Sequence, residues 1–234
     1  MKTNRIVEAS ILAFAIIVLG FNLKAGIDHF VDKDRRVTVK GLAEMEVPAN
    51  KVTWPIVSKE IGNDLPSLYS KINSTNAAIK RFLIAGGLTE SEISVNAPVV
   101  IDMNAERYGN NQSGYRYNIT SVITVTSSKV DLVRKILARQ GELLKDGIAI
   151  VSGDYENPIR YEYTGLNDIK GKTMDQAITN ASATAQQFAT VSRSNLSRIE
   201  SASQGQFSIE DRDSNTPYIK KVRVVTTITY SLEN

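Results

Sequence analysis

Between Ala9 and Phe21 the only polar residue is Ser10. A stretch of that composition must leave water, so it constrains the architecture before any other feature does. The uninterrupted run is 13 residues, short for a bilayer span. Counted from Ile6 to Ile27, with Glu8, Asn22 and Lys24 near its ends, the segment reaches 22 residues. As a helix that is roughly 33 Å, enough to cross. Lys2 and Arg5 precede it, as in a secretory signal or a signal anchor. Leu23 and Lys24 stand where cleavage before Ala25 or Gly26 would want small residues. Val18 and Gly20 have a suitable size, but a cut there leaves no polar region before it. The expectation is therefore a retained anchor over residues 1–27, with the short N-terminus in the cytoplasm and everything after Lys24 outside it. Residues 28–35 then form a charged juxtamembrane linker, and 36–234 a folded domain.

The residues after the anchor can build a substantial core, because the 234-residue chain is 42% hydrophobic with only 6 Pro and 14 Gly. One large domain or two small lobes would both fit. The sequence pI near 9.0 suggests a basic protein. From Ala25 onward, however, Lys2, Arg5, Lys24 and Glu8 drop out, leaving 25 basic against 24 acidic residues. Opposite signs interleave, as in Lys33-Asp34-Arg35-Arg36. Nucleic-acid binding needs clustered positive charge, so no nucleic-acid partner is expected. Cysteine is absent and His29 is the only histidine. That inventory excludes disulfides, thiolate metal sites, cysteine nucleophiles, a Ser-His-Asp triad and multi-histidine zinc sites. No cofactor, metal or catalytic residue is expected.

Alternating residues predict strands, and three-and-four spacing predicts helices. Val37, Val39, Ala43, Met45 and Val47 alternate with polar residues, Gly41 interrupting as a bulge or bend would; this is a strand pair or one bent strand. Pro48-Ala49-Asn50 supplies a turn into a second strand carrying Val52, Trp54, Ile56 and Ser58. Pro55 lacks a donor, which points to an edge or a bulge. Asn63 or Asp64 caps a helix with Leu65, Leu68, Tyr69, Ile72, Ile79, Phe82 and Leu83 on its stripe, ended by Gly86-Gly87. A long hairpin follows, 93–102 and 115–126, joined by a polar loop over 104–114. Tyr115, Tyr117, Ile119, Ile123 and Val125 share one of its faces, and Arg116, Asn118, Thr120 and Thr124 the other. A shorter helix carries Val130, Val133, Ile136 and Leu137. Strand signals recur at 148–151, at Ile159, Tyr161 and Tyr163, at 199–207 and at 222–230, around a helix striped by Met174, Ala177, Ile178, Ala181, Ala185, Phe188 and Ala189. Hairpins mixed with helices predict an α+β fold with a largely antiparallel sheet.

The order of motifs carries a resemblance. Val37-Thr-Val-Lys-Gly-Leu-Ala-Glu44, Val47-Pro-Ala-Asn-Lys-Val-Thr-Trp54, the hairpin, and Asn167-Asp-Ile-Lys170 leading into Ala177-Ile-Thr-Asn-Ala181 and Ala185-Gln-Gln-Phe-Ala189 resemble the SIMPL-domain family of bacterial envelope proteins. The likeness covers about Arg36 to Glu233. It implies a SIMPL-like α+β fold, an inner-membrane or periplasmic location, ring-like homo-oligomers in some members, and an association with oxidative or DNA-damage stress. It implies no catalytic motif.

The residues that might carry chemistry each have a plainer reading. Gly165-Leu-Asn-Asp-Ile-Lys-Gly171-Lys172-Thr173 misses the P-loop pattern by one residue, having five residues between its glycines, and reads as a strand-to-helix connection. Glu44 with Glu46 and Glu90 with Glu92 are i, i+2 carboxylate pairs, which need a cleft and raised pKa values to serve acid/base chemistry, and read as solvated faces. Glu210, Asp211, Asp213 and Asn215 resemble a calcium loop without its glycine and distal glutamate, and read as a hairpin loop. Trp54, Tyr115, Tyr117, Tyr161 and Tyr163 line either a groove or the core, the core being the commoner use. The alanine-rich stripe is either an internal helix-to-sheet seam or an oligomer contact. The expectation is a non-enzymatic, single-pass inner-membrane protein whose periplasmic domain self-associates or binds an envelope protein. A module that binds a small molecule or lipid is the alternative.

Overall fold

The computed structural model describes residues 2–32, 35–105, 114–153 and 155–233, and side chains within these except at 2–6, 25 and 27–32. His29, Lys33, Asp34 and most of the loop expected over 104–114 lie outside the described residues or side chains. Helix α1 (Lys2–Asp32) is apolar on all sides, and every described side chain on it is exposed. Its window Val7–Lys24 is long and apolar enough to cross a membrane. After α1 the fold is α+β, and its described strand pairings are antiparallel. Contacts divide the chain into two compact units, Met1–Met45 with Asn167–Ser208 and Val222–Asn234, and Glu46–Leu166 with Ile209–Lys221.

The first unit is a sheet under one helix. Its strands come from β1 (Arg36–Pro48), β8 (Asn195–Gln204) and β10 (Ile219–Glu233), in the order β1-β10-β8. Arg35 with Leu232, Thr38 with Thr229 and Glu44 with Arg223 keep one antiparallel register between β1 and β10. Helix α5 (Leu166–Val191) covers the sheet with Thr173, Ala177, Ala181, Ala185 and Ala189, all buried at strict four-residue spacing. The stripe is therefore an internal seam. Small residues bring the helix close, and Val39, Val224, Ile228 and Tyr230 of the sheet supply the apolar bulk. Met174 and Ile178 are only partly buried and Phe188 is exposed, so the true stripe is narrower than expected.

Two expectations fail in this unit. Gly41 makes neither a bulge nor a bend: β1 is one strand whose inward positions run unbroken through Val39, Gly41 and Ala43. A Cβ there would lie 2.6 Å from the Ala181 nitrogen and 2.8 Å from the Ala181 Cβ, so the glycine is where the helix presses on the sheet. The segment 165–173 is not a connection, because α5 begins at Leu166 and takes in all of it but Gly165.

The second unit pairs β2 (Lys51–Gly62) with β5 (Tyr117–Ser127) at its centre, flanked by β3 (Ile93–Val95) and β4 (Val99–Asp102) on β5, and by β6 (Ile150–Ser152) and β7 (Arg160–Glu162) on β2. Helices α2 (Leu65–Ala85), α3 (Val130–Ala138) and α4 (Gly141–Lys145) supply apolar side chains to this unit. Its core joins Trp54, Ile56, Ile123 and Val125 to Ile79, Leu83, Val133, Ile136 and Leu143. Each large side chain buried there contributes about 1.5–3 kcal/mol. Asp64 caps α2 by accepting from the Ser67 N–H at 3.0 Å, and Gly86 closes it. Asn118, Thr120 and Thr124 on the other face of β5 are partly exposed, as the polar alternation predicts. Pro55 is not on an edge strand: it falls between the stretch of β2 that pairs with β7 (Lys51 to Thr53) and the stretch that pairs with β6 (Ile56 to Ser58). A missing N–H is tolerated where no ladder runs on that side. The short strand β9 (Ser208–Asp211) leads through a loop into β10.

Candidate functional site

A groove of about 550 Å³ opens on the second unit, lined in part by Arg134, Leu137, Ile159, Tyr161, Pro217 and Tyr218. Helix α3 contributes Arg134 and Leu137, three residues apart and so on adjoining faces. Pairing of Tyr161 with the fully buried Val52 fixes β7 against the sheet and puts the ring on the core face, packed against that core from a half-buried position. The Ala49 N–H donates to the Tyr218 carbonyl at 2.8 Å, which holds the start of β10. The guanidinium carbon of Arg134 sits 3.4 Å from the centroid of the Tyr218 ring, and Tyr161 meets that ring edge-on at 6.2 Å and 71°. Burial pushes the Tyr161 hydroxyl up from its ordinary pKa, against a smaller opposing effect of the Arg134 charge, so it stays a neutral hydrogen-bonding group near neutral pH.

The loop that brings Ser214, Asn215, Pro217 and Tyr218 to the groove is set by Asp213. Its carboxylate accepts from the Asn215 and Thr216 N–H groups at 2.8 Å each, from the Thr216 hydroxyl and from Arg212 Nε at 3.1 Å. These donors, the Thr216 hydroxyl foremost, hold the Asp213 carboxyl at a pKa of about 2. The calcium-loop pattern is thus an Asx turn whose oxygens are already engaged. No group of three or more metal-ligating side chains occurs among the described residues.

Each carboxylate of the two pairs has a cationic partner. Glu44 lies 3.6 Å from Arg223, and Glu46 lies 3.4 Å from Arg212. Glu90 pairs with Lys80 at 3.0 Å. Glu92 stands in a 3-10 turn, Glu90–Glu92, rather than on a strand. It accepts from the Ser127 hydroxyl at 2.6 Å, the Thr89 N–H at 2.9 Å and Lys129 Nζ at 3.0 Å, which hold its pKa at about 2. A catalytic acid needs the opposite shift.

The expected aromatic group is dispersed. Trp54 is core, its indole N–H donating to the Ser152 hydroxyl at 2.6 Å. Tyr115 is exposed, and Tyr117 packs beside Leu68, Ile72 and Ile119 with the Arg116 guanidinium 4.9 Å over its ring. Tyr163 lines a neighbouring recess with Tyr161, Lys51 and Lys220. Of the five aromatics, Tyr161 alone lines the groove; Tyr218 and Arg134 were missed. Pro217-Tyr218 just before an alternating run was the available signal, whereas Arg134 looked like an ordinary exposed helix residue.

Comparison with curated proteins gives no match. The family model of SIMPL, described as a protein of unknown function (DUF541), matches residues 37–230. That span takes in both sheets, α5 and the groove, and the chain belongs to the SIMPL family.

Proposed function

We propose that this protein is a non-enzymatic, single-pass protein of the bacterial inner membrane, whose domain stands in the periplasm and associates with itself or with another envelope protein through the groove of the second unit. The observation that carries the reading is the Arg134–Tyr218–Tyr161 stack at the groove wall. Tyrosine and arginine dominate the energetics of protein interfaces because each offers large area at low entropic cost, together with directional polar contact. The Asp213 turn adds preorganisation, which reduces the cost of binding. The family resemblance adds stress tolerance as the setting.

Light scattering of the purified protein across a range of concentrations tests the self-association arm. A discrete oligomer that falls apart on Arg134→Ala with Tyr218→Ala supports it. A monomer in which the same pair of substitutions also leaves crosslinks to envelope proteins unchanged, formed from a photoreactive residue at position 217, contradicts the whole reading. One observation favours the alternative: a volume of about 550 Å³ lies in the range of small-molecule sites. Native mass spectrometry showing a co-purified small molecule or lipid lost on Tyr218→Ala would favour that module instead.

A further inference from the structure

The tip of α5 ends in a way its sequence does not favour. Arg193 has φ 53°, the left-handed conformation that glycine adopts without cost. The Ser194 N–H donates to the Ala189 carbonyl at 2.9 Å and the Arg193 N–H to the Thr190 carbonyl at 3.2 Å, the paired bonds of a Schellman ending. Glycine is the usual residue there. The arginine side chain is exposed, and its guanidinium makes no hydrogen bond or ion pair with a described residue. Strain retained at an exposed charged residue points to a use for that residue.

Its surroundings indicate the use. Phe188 is 57% exposed and Val191 80% exposed in the last turn of α5, an apolar pair beside the charge. Arg35 donates to the Ser194 hydroxyl at 3.0 Å, and its carbonyl accepts from the Leu232 N–H at 2.9 Å. The α5 tip, the start of β8 and the end of β10 therefore share one end of the unit, and this is the end at which the chain arrives from α1. From Asp32 to Arg36 the chain can span at most about 14 Å. The helix beyond Lys24, where the apolar window closes, adds about 12 Å. Arg35 and Arg193 lie here, both next to Ser194, and Arg36, Arg198, Glu200 and Glu233 stand on the strands that lead to this end. Arg36 pairs with Glu200 at 2.9 Å, and Glu233 accepts from the Ser197 hydroxyl.

We propose that the α5 tip is a membrane foot: Phe188 and Val191 enter the headgroup region of the bilayer that holds α1, and Arg193 binds anionic phospholipid headgroups there. An apolar wedge next to arginines is the composition of interfacial contacts, and the tether supplies a high local concentration of membrane. The inference rests on the reading of α1 as a retained anchor.

The test uses the full chain, whose lack of cysteine permits single labels. Val191→Cys carrying a polarity-sensitive fluorophore is reconstituted into vesicles of phosphatidylcholine alone and of phosphatidylcholine with a minority of phosphatidylglycerol. A chain labelled at Ser203→Cys, which is exposed near the far end of β8 in the same unit, serves as reference. The expected result is a blue shift at 191, and quenching by headgroup spin labels, in the vesicles that contain phosphatidylglycerol and not at 203. Arg193→Gly, which suits the local backbone better, lowers the membrane-contacting fraction about fivefold, and Arg193→Glu lowers it further. Release of the chain by alkaline extraction overturns the anchor reading and the foot with it. An embedded chain whose label at 191 stays in water, or touches the bilayer regardless of phosphatidylglycerol and of Arg193, overturns the foot alone.

Discussion

A methyl group at Gly41 would collide with backbone atoms of α5 that cannot step aside. Gly41→Ala is expected to destabilise the protein by about 3 kcal/mol or more, the upper end of overpacking, measured by urea unfolding. Arg193→Gly should act in the other direction. Relief of the left-handed backbone raises stability by about 1 kcal/mol, read as a higher thermal midpoint. Glu92 makes a pH-dependent contribution. Its folded pKa of about 2 lies below the ordinary 4.5, so the stability it contributes is full above 4.5 and is lost as pH falls toward 2. In Glu92→Gln that loss is absent, and thermal midpoints of the two proteins should converge across this window. These roles depend on tertiary approach. Gly41 looked like a bulge because alternation alone does not show what lies over a strand, and Glu92 looked like half of a pair because its partners Ser127 and Lys129 are far away in sequence.

Helix α5 illustrates how far periodicity reaches. Its position was legible from alanines at four-residue spacing, and its role as a seam follows from their size. The breadth of the stripe was not legible, because Met174 and Ile178 are only partly buried at its margin and Phe188 is exposed. Ala185→Leu is expected to cost about 1–3 kcal/mol through overpacking, whereas Phe188→Ser should leave the unfolding midpoint within about 0.5 kcal/mol. The contrast, measured by denaturant titration, separates the buried face from the exposed one. Strand β2 shows the opposite limit. Pro55 marks a break in pairing, but whether the break is an edge or a gap between β7 and β6 depends on strands a hundred residues away. Strand β8 is exposed along nearly its whole length at the rim of its sheet, and its pairing with β10 slips twice, near Tyr230. Such irregularity protects an edge from strand addition. The proposed self-association is therefore expected at the groove and not at this strand.

At the scale of the whole molecule, the α+β class, the antiparallel pairing and the apolar N-terminal helix could all be read from patterning, since each depends on local periodicity. The division into two compact units could not, because β1 and β10 each run through both. Half of the groove was also hidden: Tyr161 was visible as one of several tyrosines, while Arg134 and Tyr218 meet only through the fold. The proposed function rests on α1 being kept as an anchor that carries the domain outside the cytoplasm. The absence of native cysteine makes its test direct. Tyr155→Cys is treated in intact spheroplasts with a membrane-impermeant maleimide, and the mass of the labelled protein recovered from the membrane fraction is measured. The expected result is labelling before lysis on a chain that retains residues 1–27. Labelling only after lysis, or a soluble chain that has lost its N-terminal segment, would contradict it.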